Sequence, residues 1–496
     1  MVPVALLAMV LAAGFVGAAA TAVAAVYALR RLAHRWEDRL ADVSGLGPVE
    51  LVLAGEAVPV RDAVLTLQRA AHAVPAAVPM ESPARDWLSQ VRFDPATLCP
   101  PARPPRPAVR LEVQLGPGAV VPLRLAFPLL LSGMGWGVGV SDDVRQVLAE
   151  AGALTGVAVV SGEGPPLPVE LETLPRWVWQ WGRSSWQRTH ASLPSAMIEL
   201  QVGQASEGGT EVRKPARHLP RVVRRADARG ELRIAAGLPL PLDVWVRRAR
   251  EAGGGVPVAV KLPASQHLEE DLALATAAGV DVVVLDGAGA GTASSPAVLA
   301  DHLAIPTPVA AARAHRWLTR RGLRQGVSLV VSGRVHGAAD MAKLLALGAD
   351  AVAVGTVALM ALAHGQVADV LPGRAPTSLV LAKGADGPRR LDRDLAAERL
   401  ANWLVATRDE LALLCQSLGV GDVRDLGVRH LVAETPQAAR VLGIAWYGGG
   451  APSPPPAVPQ IEALARDVLA AGRQARRAWA RLAAAGASPP SSGAGT

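Results

Sequence analysis

The chain has 496 residues, 50% hydrophobic and 19% charged, with a formal net charge of +7. That apolar content suits a large folded domain with appendages and excludes a disordered chain. The two cysteines, Cys99 and Cys415, cannot build a disulfide framework, a four-ligand zinc site or a three-cysteine iron–sulfur site. The basic excess is mostly arginine, since Lys214, Lys261, Lys343 and Lys383 are the only lysines. No dense basic block with interleaved aromatics marks a nucleic-acid binder, so none is expected as a partner.

In chain order, Val2 to Leu29 carries no charged residue and is long enough to span a bilayer core of about 30 Å as a helix. The basic flank "RRLAHRWEDR" after it predicts a single-pass anchor in the cell membrane, with the rest of the chain on the cytoplasmic side. A cleaved signal is the competing reading; it lacks a basic n-region and the apolar run is too long for it. Residues 1–30 are thus assigned to the transmembrane anchor and 31–98 to a helical connector. Residues 99–109, "CPPARPPRPAV", form a stiff Pro-rich linker.

Residues 110–447 alternate short apolar runs with helical patterns. The runs are "FPLLLSG", "GVAVVSG", "AMIELQVG", "VPVAVKLP", "DVVVLDG", "TPVAAAR", "VSLVVSG" and "DAVAVGT". Each suits a parallel strand buried on both faces. Eight strands alternating with helices predict an α/β fold, a (β/α)8 TIM barrel, with a doubly wound sheet as runner-up. Polar or glycine residues close nearly every run, as expected where strand ends share one mouth. A linker at 448–459 follows, and then a basic amphipathic helix and disordered tail over 460–496. That helix suits packing on its own domain or on a twin subunit, so a homo-oligomer is a candidate state.

The chemistry gathers at those run ends. "VVVLDGAGAGTASSP" (Val282 to Pro296) follows the fifth run. Its glycines are spaced two and two, which fails the dinucleotide fingerprint, and it has no lysine for a triphosphate loop. A tight strand-to-helix turn and a rim for a flat or anionic ligand both remain open, with Asp286 and Gly287 at its start. Ser132, Gly133 and Met134 close the first run, and Lys261 ends "VPVAVK", where burial would demand an anionic partner or an electron-rich ring. Ser332, Gly333, Arg334, Gly355 and Thr356 close the last two runs, where barrel phosphate sites are commonly built. This is the layout of a flavin mononucleotide site. His315, His336 and His364 show no metal-ligand spacing, and the cluster "RWVWQWGRSSWQ" reads as core at helical spacing.

The same run ends, in the same order, resemble the FMN-binding domain of the glutamate synthase family, especially its stand-alone, membrane-anchored members. "LLLSGMGWG" resembles the family's "SGMS(F/Y)G" turn, and "VVSGEGPPLP" resembles "TGEGG-LP" and carries Ser161 and Glu163. "WQWGRSSW" resembles an arginine- and tryptophan-bearing helix, and "MIELQVGQASEGG" resembles "IE(L/I)K-GQGAKPG-GG" with Gln204. "LDGAGAGTASSP" aligns with "DGGEGGTGA-P", and "VSGRVHGAADMAKLLALGADAVAVGT" resembles the family's phosphate region.

The resemblance implies FMN as cofactor and an oxidoreductase acting on CH–NH2 donors. In the family the reduced flavin passes a hydride to an imino acid made from 2-oxoglutarate and ammonia. It implies Ser132, Met134, Gln204 and Lys261 near the ring and Ser332, Gly333, Gly355 and Thr356 near the phosphate, where Arg334 could add charge, with Gly133, Ser161, Asp286 and Gly287 as further cofactor-binding residues. Glu163, Gln204 and Lys261 are the implied catalytic group. The expected partner is a small 2-oxo or amino acid, and the electron donor is left unassigned.

The chain departs from the family in three places. The loop after Gln204 is short and lacks the "GAKPG" lysine, Ala288 and Ala290 replace glycines, and no cysteine follows Thr356, so no iron–sulfur cluster is expected. Another substrate, or a membrane-tethered pseudoenzyme serving as scaffold or sensor, are the alternative readings.

Overall fold

The computed structural model describes residues 23–31, 66, 69–71, 73, 87–95, 108–135, 139–173, 176–182, 193–206, 208, 212–215, 231–234, 241–290, 303–367, 380 and 391–449. Eight parallel strands close into a barrel. They are β1 (Leu129–Leu131), β2 (Ala158–Val160), β3 (Trp177–Trp181), β4 (Met197–Gln201), β5 (Val258–Pro263), β6 (Val282–Asp286), β7 (Ser328–Ser332) and β8 (Ala351–Val354). β8 pairs with β1, and β4 with β5, so the sheet has no free edge. All but one of the strand positions are buried, because side chains fill the barrel inside and helices cover it outside.

Two assignments made from sequence exchange places. "TPVAAAR" lies at the start of the helix Thr307–Arg320, not in a strand. Its alanines are strong helix formers, and Pro308 sits in the first turn, where proline is tolerated. The missed strand is β3, inside the tryptophan cluster. Trp177, Trp179 and Trp181 alternate with Val178 and Gln180, a period of two rather than 3.6. The indoles line up on one face of the strand, Trp177 and Trp179 stacked with centroids 6.3 Å apart and Trp179 and Trp181 edge to face at 5.2 Å, and Trp181 meets Trp245 of the helix Leu242–Gly253 edge to face at 6.5 Å. "WQW" is therefore strand rather than helix, and the loop after Asp286 follows the sixth strand rather than the fifth.

A hairpin of Val113–Leu115 with Leu123–Leu125 lies at the opposite end, and the Gly116 amide donates to Ser328 Oγ at the first residue of β7 (3.0 Å). A second hairpin, Val212–Pro215 with Glu231–Ile234, lies in the β4–β5 connection. The expected helical connector also contains a strand, Val91–Phe93, which pairs antiparallel with Leu431–Ala433. A 25-residue helix, Arg393–Ser417, packs on the helix Asp142–Thr155 that follows β1. There Arg145 forms a buried bidentate pair with Glu170, 2.6 Å for each bond.

Among the described residues no helix is long and apolar enough to cross a membrane. Only residues 23–31 of the expected anchor region are described, and they are helical. Most of the connector and of the first linker, all but the first two residues of the second linker, and the C-terminal helix and tail lie outside the described residues.

Candidate active site

Strand register decides which side chains enter the barrel. Cα partners of neighbouring parallel strands share a face, as do residues two apart on one strand. Gln180 is opposite Glu199, Gln201 is opposite Lys261, and Asp286 is opposite both Pro263 and Ser332. Gln180, Glu199, Gln201, Lys261, Asp286 and Ser332 therefore lie on one continuous interior face near the C-terminal strand ends.

Lys261 is the cation of this face, with its side chain 5% exposed. Its Nζ lies 3.3 Å from Asp286 Oδ2, an ion pair longer than a charge-assisted hydrogen bond. Burial opposes the ammonium charge, but Asp286, Glu199 and Glu163 outweigh that penalty and hold its pKa above the usual lysine value. Glu199 is buried without an equivalent surplus of positive charge. Burial pushes its carboxyl up, while Lys261 and the Gln180 side chain pull it partly back. Gln180 Nε2 donates to Glu199 Oε1 at 2.7 Å. Gln201 Oε1 is buried with no hydrogen-bond partner among the described residues, an acceptor left for a ligand or water at the barrel mouth.

Asp286 Oδ1 accepts a short bond from Ser332 Oγ. The Ser332 hydroxyl thus serves the carboxylate, whereas the sequence pointed it toward a phosphate. Ser332→Ala is expected to leave that buried oxygen unsatisfied and to cost about 1–3 kcal/mol, read as a lower urea midpoint with an unchanged slope.

The loops above this face are held by close backbone approaches. Gly287 abuts Thr307, where a Cβ would lie 2.2 Å from Oγ1, and the Thr307 hydroxyl lies 3.1 Å from Ser332 O and 2.7 Å from Gly333 O. Gly289 lies against Arg334, where a Cβ would meet Nε at 2.8 Å. Gly333 and Arg334 both have positive φ (110° and 55°), which turns the chain sharply after β7. Met134 approaches both the Gly162 and the Gly355 backbone, linking the mouths of β1, β2 and β8. Ser161 is buried and accepts from the Gln180 amide (3.0 Å), which fixes the β2 end against β3. Gly355 is half-buried and Thr356 exposed at the mouth of β8.

The structure therefore brings Glu163 and Lys261 together and places Ser132, Gly133, Met134, Asp286, Gly287, Gly333, Arg334, Gly355 and Thr356 around the same mouth. It does not join Gln204 to them. Gln204 and Gly208 exchange backbone hydrogen bonds in a tight turn, and no hydrogen bond links the Gln204 side chain to Lys261 or Glu163 among the described residues. Sequence reading missed Glu199, Gln180, Gln201 and Thr307. The signal for the first three was alternation: Gln180 falls between tryptophans in "WVWQW", and Glu199 and Gln201 are two apart in "MIELQ", so the latter two must share a face.

Residues 239–421 match the family described as the conserved region in glutamate synthase. They contain β5 to β8 and Lys261. This stretch of the chain is similar to the conserved region of glutamate synthase. A glutamate synthase large subunit-like protein of Rhizobium meliloti (strain 1021) is 29% identical over 359 residues, covering 66% of this chain and 80% of the relative. The archaeal glutamate synthase [NADPH] of Methanocaldococcus jannaschii is 30% identical over 339 residues, covering 64% of this chain and 63% of the relative. Among solved structures, the flavin-binding domain of baker's yeast flavocytochrome b2 is similar at a TM-score of 0.45 and 15% identity, covering 70% of this chain and 76% of that one. The matched residues 239–421 thus hold the second half of the barrel, with Lys261 and Asp286 of the carboxylate cluster.

Proposed function

We propose that the barrel is an FMN-dependent oxidoreductase of the glutamate synthase kind, acting on a small 2-oxo or amino acid. The observation that carries this reading is the buried, charged Lys261 at the barrel mouth, held by Glu163, Glu199 and Asp286 within the glutamate synthase region. The residues present suit a flavin. Gln201 Oε1 is a buried acceptor without a partner, Lys261 is a cation not consumed by any single short bond, and glycine-lined loops from β1, β2, β6 and β7 bring backbone to the rim.

Bound there, FMN would supply hydride transfer. Lys261 would face the electron-rich edge of the ring, and the turns at Gly333–Arg334 and Gly355–Thr356 would hold the phosphate. Glu199, with its raised pKa, is suited to hold a proton beside the substrate, and Gln180 fixes the orientation of that carboxyl. Glu163 contributes negative charge that keeps Lys261 protonated and would favour an amino or imino group over a second carboxylate. The short Gln204–Gly208 turn, which lacks the lysine that in the family helps hold a 2-oxo acid, supports a substrate different from 2-oxoglutarate. The same reading places the barrel on the cytoplasmic side of a membrane, tethered through Val2 to Leu29, whose charge-free run supports the anchor.

The test is anaerobic. Chemically reduced holoprotein is mixed with 2-oxoglutarate plus ammonia, and in parallel with other 2-oxo acids plus ammonia. Return of the oxidised flavin spectrum with formation of an amino acid supports the assignment and names the substrate. A flavin that no 2-oxo acid reoxidises would remove the synthase chemistry.

A further inference from the structure

The geometry points to a second ligand site at the opposite end of the barrel from Lys261: a pocket for a phosphorylated organic anion of about nucleotide size. A cavity of about 670 Å³ opens there, beneath the hairpin of Val113–Leu115 and Leu123–Leu125. Its polar wall carries Arg110, Arg124, Arg176, Arg324, Arg424 and His315, and its apolar floor includes Val113, Leu125 and Leu345. That size lies within the range of pockets that enclose small organic ligands, about 300–1,000 Å³.

The charge is not balanced within the pocket. Five guanidinium groups face three carboxylates, Glu112 and Asp350 in the lining and Asp422 beside it. Three arginines are already engaged. Arg324 bonds Asp350, Gly348 O, Val327 O and His315 Nδ1, while Arg110 and Arg424 share Asp422, whose carboxyl their charge-assisted bonds bring down to about 2.

Arg124 and Arg176 remain. Arg176 Nε donates to the Arg124 carbonyl at 2.9 Å, which sets the two residues side by side, and no carboxylate lies within ion-pair distance of either among the described residues. Arg124 and Arg176 thus offer two guanidinium groups without a carboxylate partner among the described residues at the rim of a pocket with an apolar floor, which matches a phosphate attached to an apolar body. The planar fork bonds phosphate oxygens in pairs, and the floor removes the organic part from water. A simple dicarboxylate would leave most of this volume empty. The N-terminal face of such a barrel ordinarily serves stability alone, so a cavity of this charge there calls for a ligand. This site is separate from the proposed flavin site and does not depend on it.

The test titrates the full chain as purified with ADP by calorimetry at low salt, with adenosine, inorganic phosphate and citrate in parallel. The expected result is one ADP per chain, not displaced by excess FMN, and weaker or undetectable binding of the three other probes. Arg124→Ala with Arg176→Ala should weaken ADP binding by about tenfold or more without changing the melting temperature or bound flavin. If that double variant melts early, Arg124→Gln alone, on an exposed strand position, gives the same reading. Absence of saturable ADP binding, displacement by FMN, unchanged affinity in the variants, or equal affinity for citrate or phosphate would each overturn the assignment.

Discussion

Lys261→Met is expected to lower stability by about 3–5 kcal/mol at neutral pH and to remove flavin retention. Methionine fills a similar volume, so the loss is electrostatic. Without the ammonium, the buried Asp286 and Glu199 lose the cation that compensates them among the described residues. The pH dependence follows from the direction of the Glu199 shift. A carboxyl raised in the folded state contributes stability that is full below its unfolded value, about 4.3, and is lost as pH rises through the folded value. Removing Lys261 raises Glu199 further, because Lys261 is the largest influence lowering it. The deficit of the variant should therefore shrink on acidification toward about pH 5 and grow toward about pH 8. Lys261 itself is raised, so its own contribution in the wild type is full below about 10.4 and falls only as pH rises through its folded value. Urea unfolding of both proteins at the two pH values checks this. A deficit larger at pH 5 than at pH 8 would contradict the cluster as described.

Gly162→Ala is the second large effect. Gly162 sits at φ +68°, and a Cβ there would lie 2.4 Å from the Met134 amide nitrogen and 2.4 Å from its carbonyl oxygen. The left-handed backbone costs alanine about 1–2 kcal/mol, and forcing atoms into packed backbone costs about 1–3 kcal/mol more. The expected loss is about 2–5 kcal/mol, together with weaker cofactor retention, because Met134 must move and Glu163 is the next residue. Gly118→Ala is the matched control. Nothing lies within 4 Å of its Cβ position, and its effect should stay within about 0.5 kcal/mol. Equal urea midpoints for the two variants would show that the β1–β2 mouth yields more easily than its geometry implies.

The barrel was legible because most strands are wholly apolar runs closed by glycine or a polar residue, and that pattern survives without knowledge of packing. Lys261 was legible for a related reason: a rare lysine at the end of such a run needs a partner. The tryptophan strand was not legible, because four large rings in one stretch suggest a helix face until alternation with Val178 and Gln180 is counted. "TPVAAAR" misled in the other direction, since an apolar run of that length fits a strand unless the helix preference of alanine is weighed. Glu199 was hidden because "MIELQ" reads as apolar overall unless the two-residue spacing of Glu199 and Gln201 is counted. The partners of the site could not be read from spacing at all. Asp286 and Ser332 are 46 positions apart, and register alone makes them neighbours.

The departures from the glutamate synthase pattern now have places in the structure. The short turn at Gln204–Gly208 stands where the family's lysine-bearing loop would be, Gly287 is kept where a side chain would strike Thr307, and Gly289, in place of the family's acidic residue, lies where a side chain would strike Arg334.

The most direct test of a flavin-bearing barrel is the visible absorption spectrum of the full chain as purified, followed by denaturation and identification of what is released. The account predicts a yellow protein that releases about one FMN per chain and loses it on Lys261→Met. A colourless protein that cannot be reconstituted with FMN would contradict it.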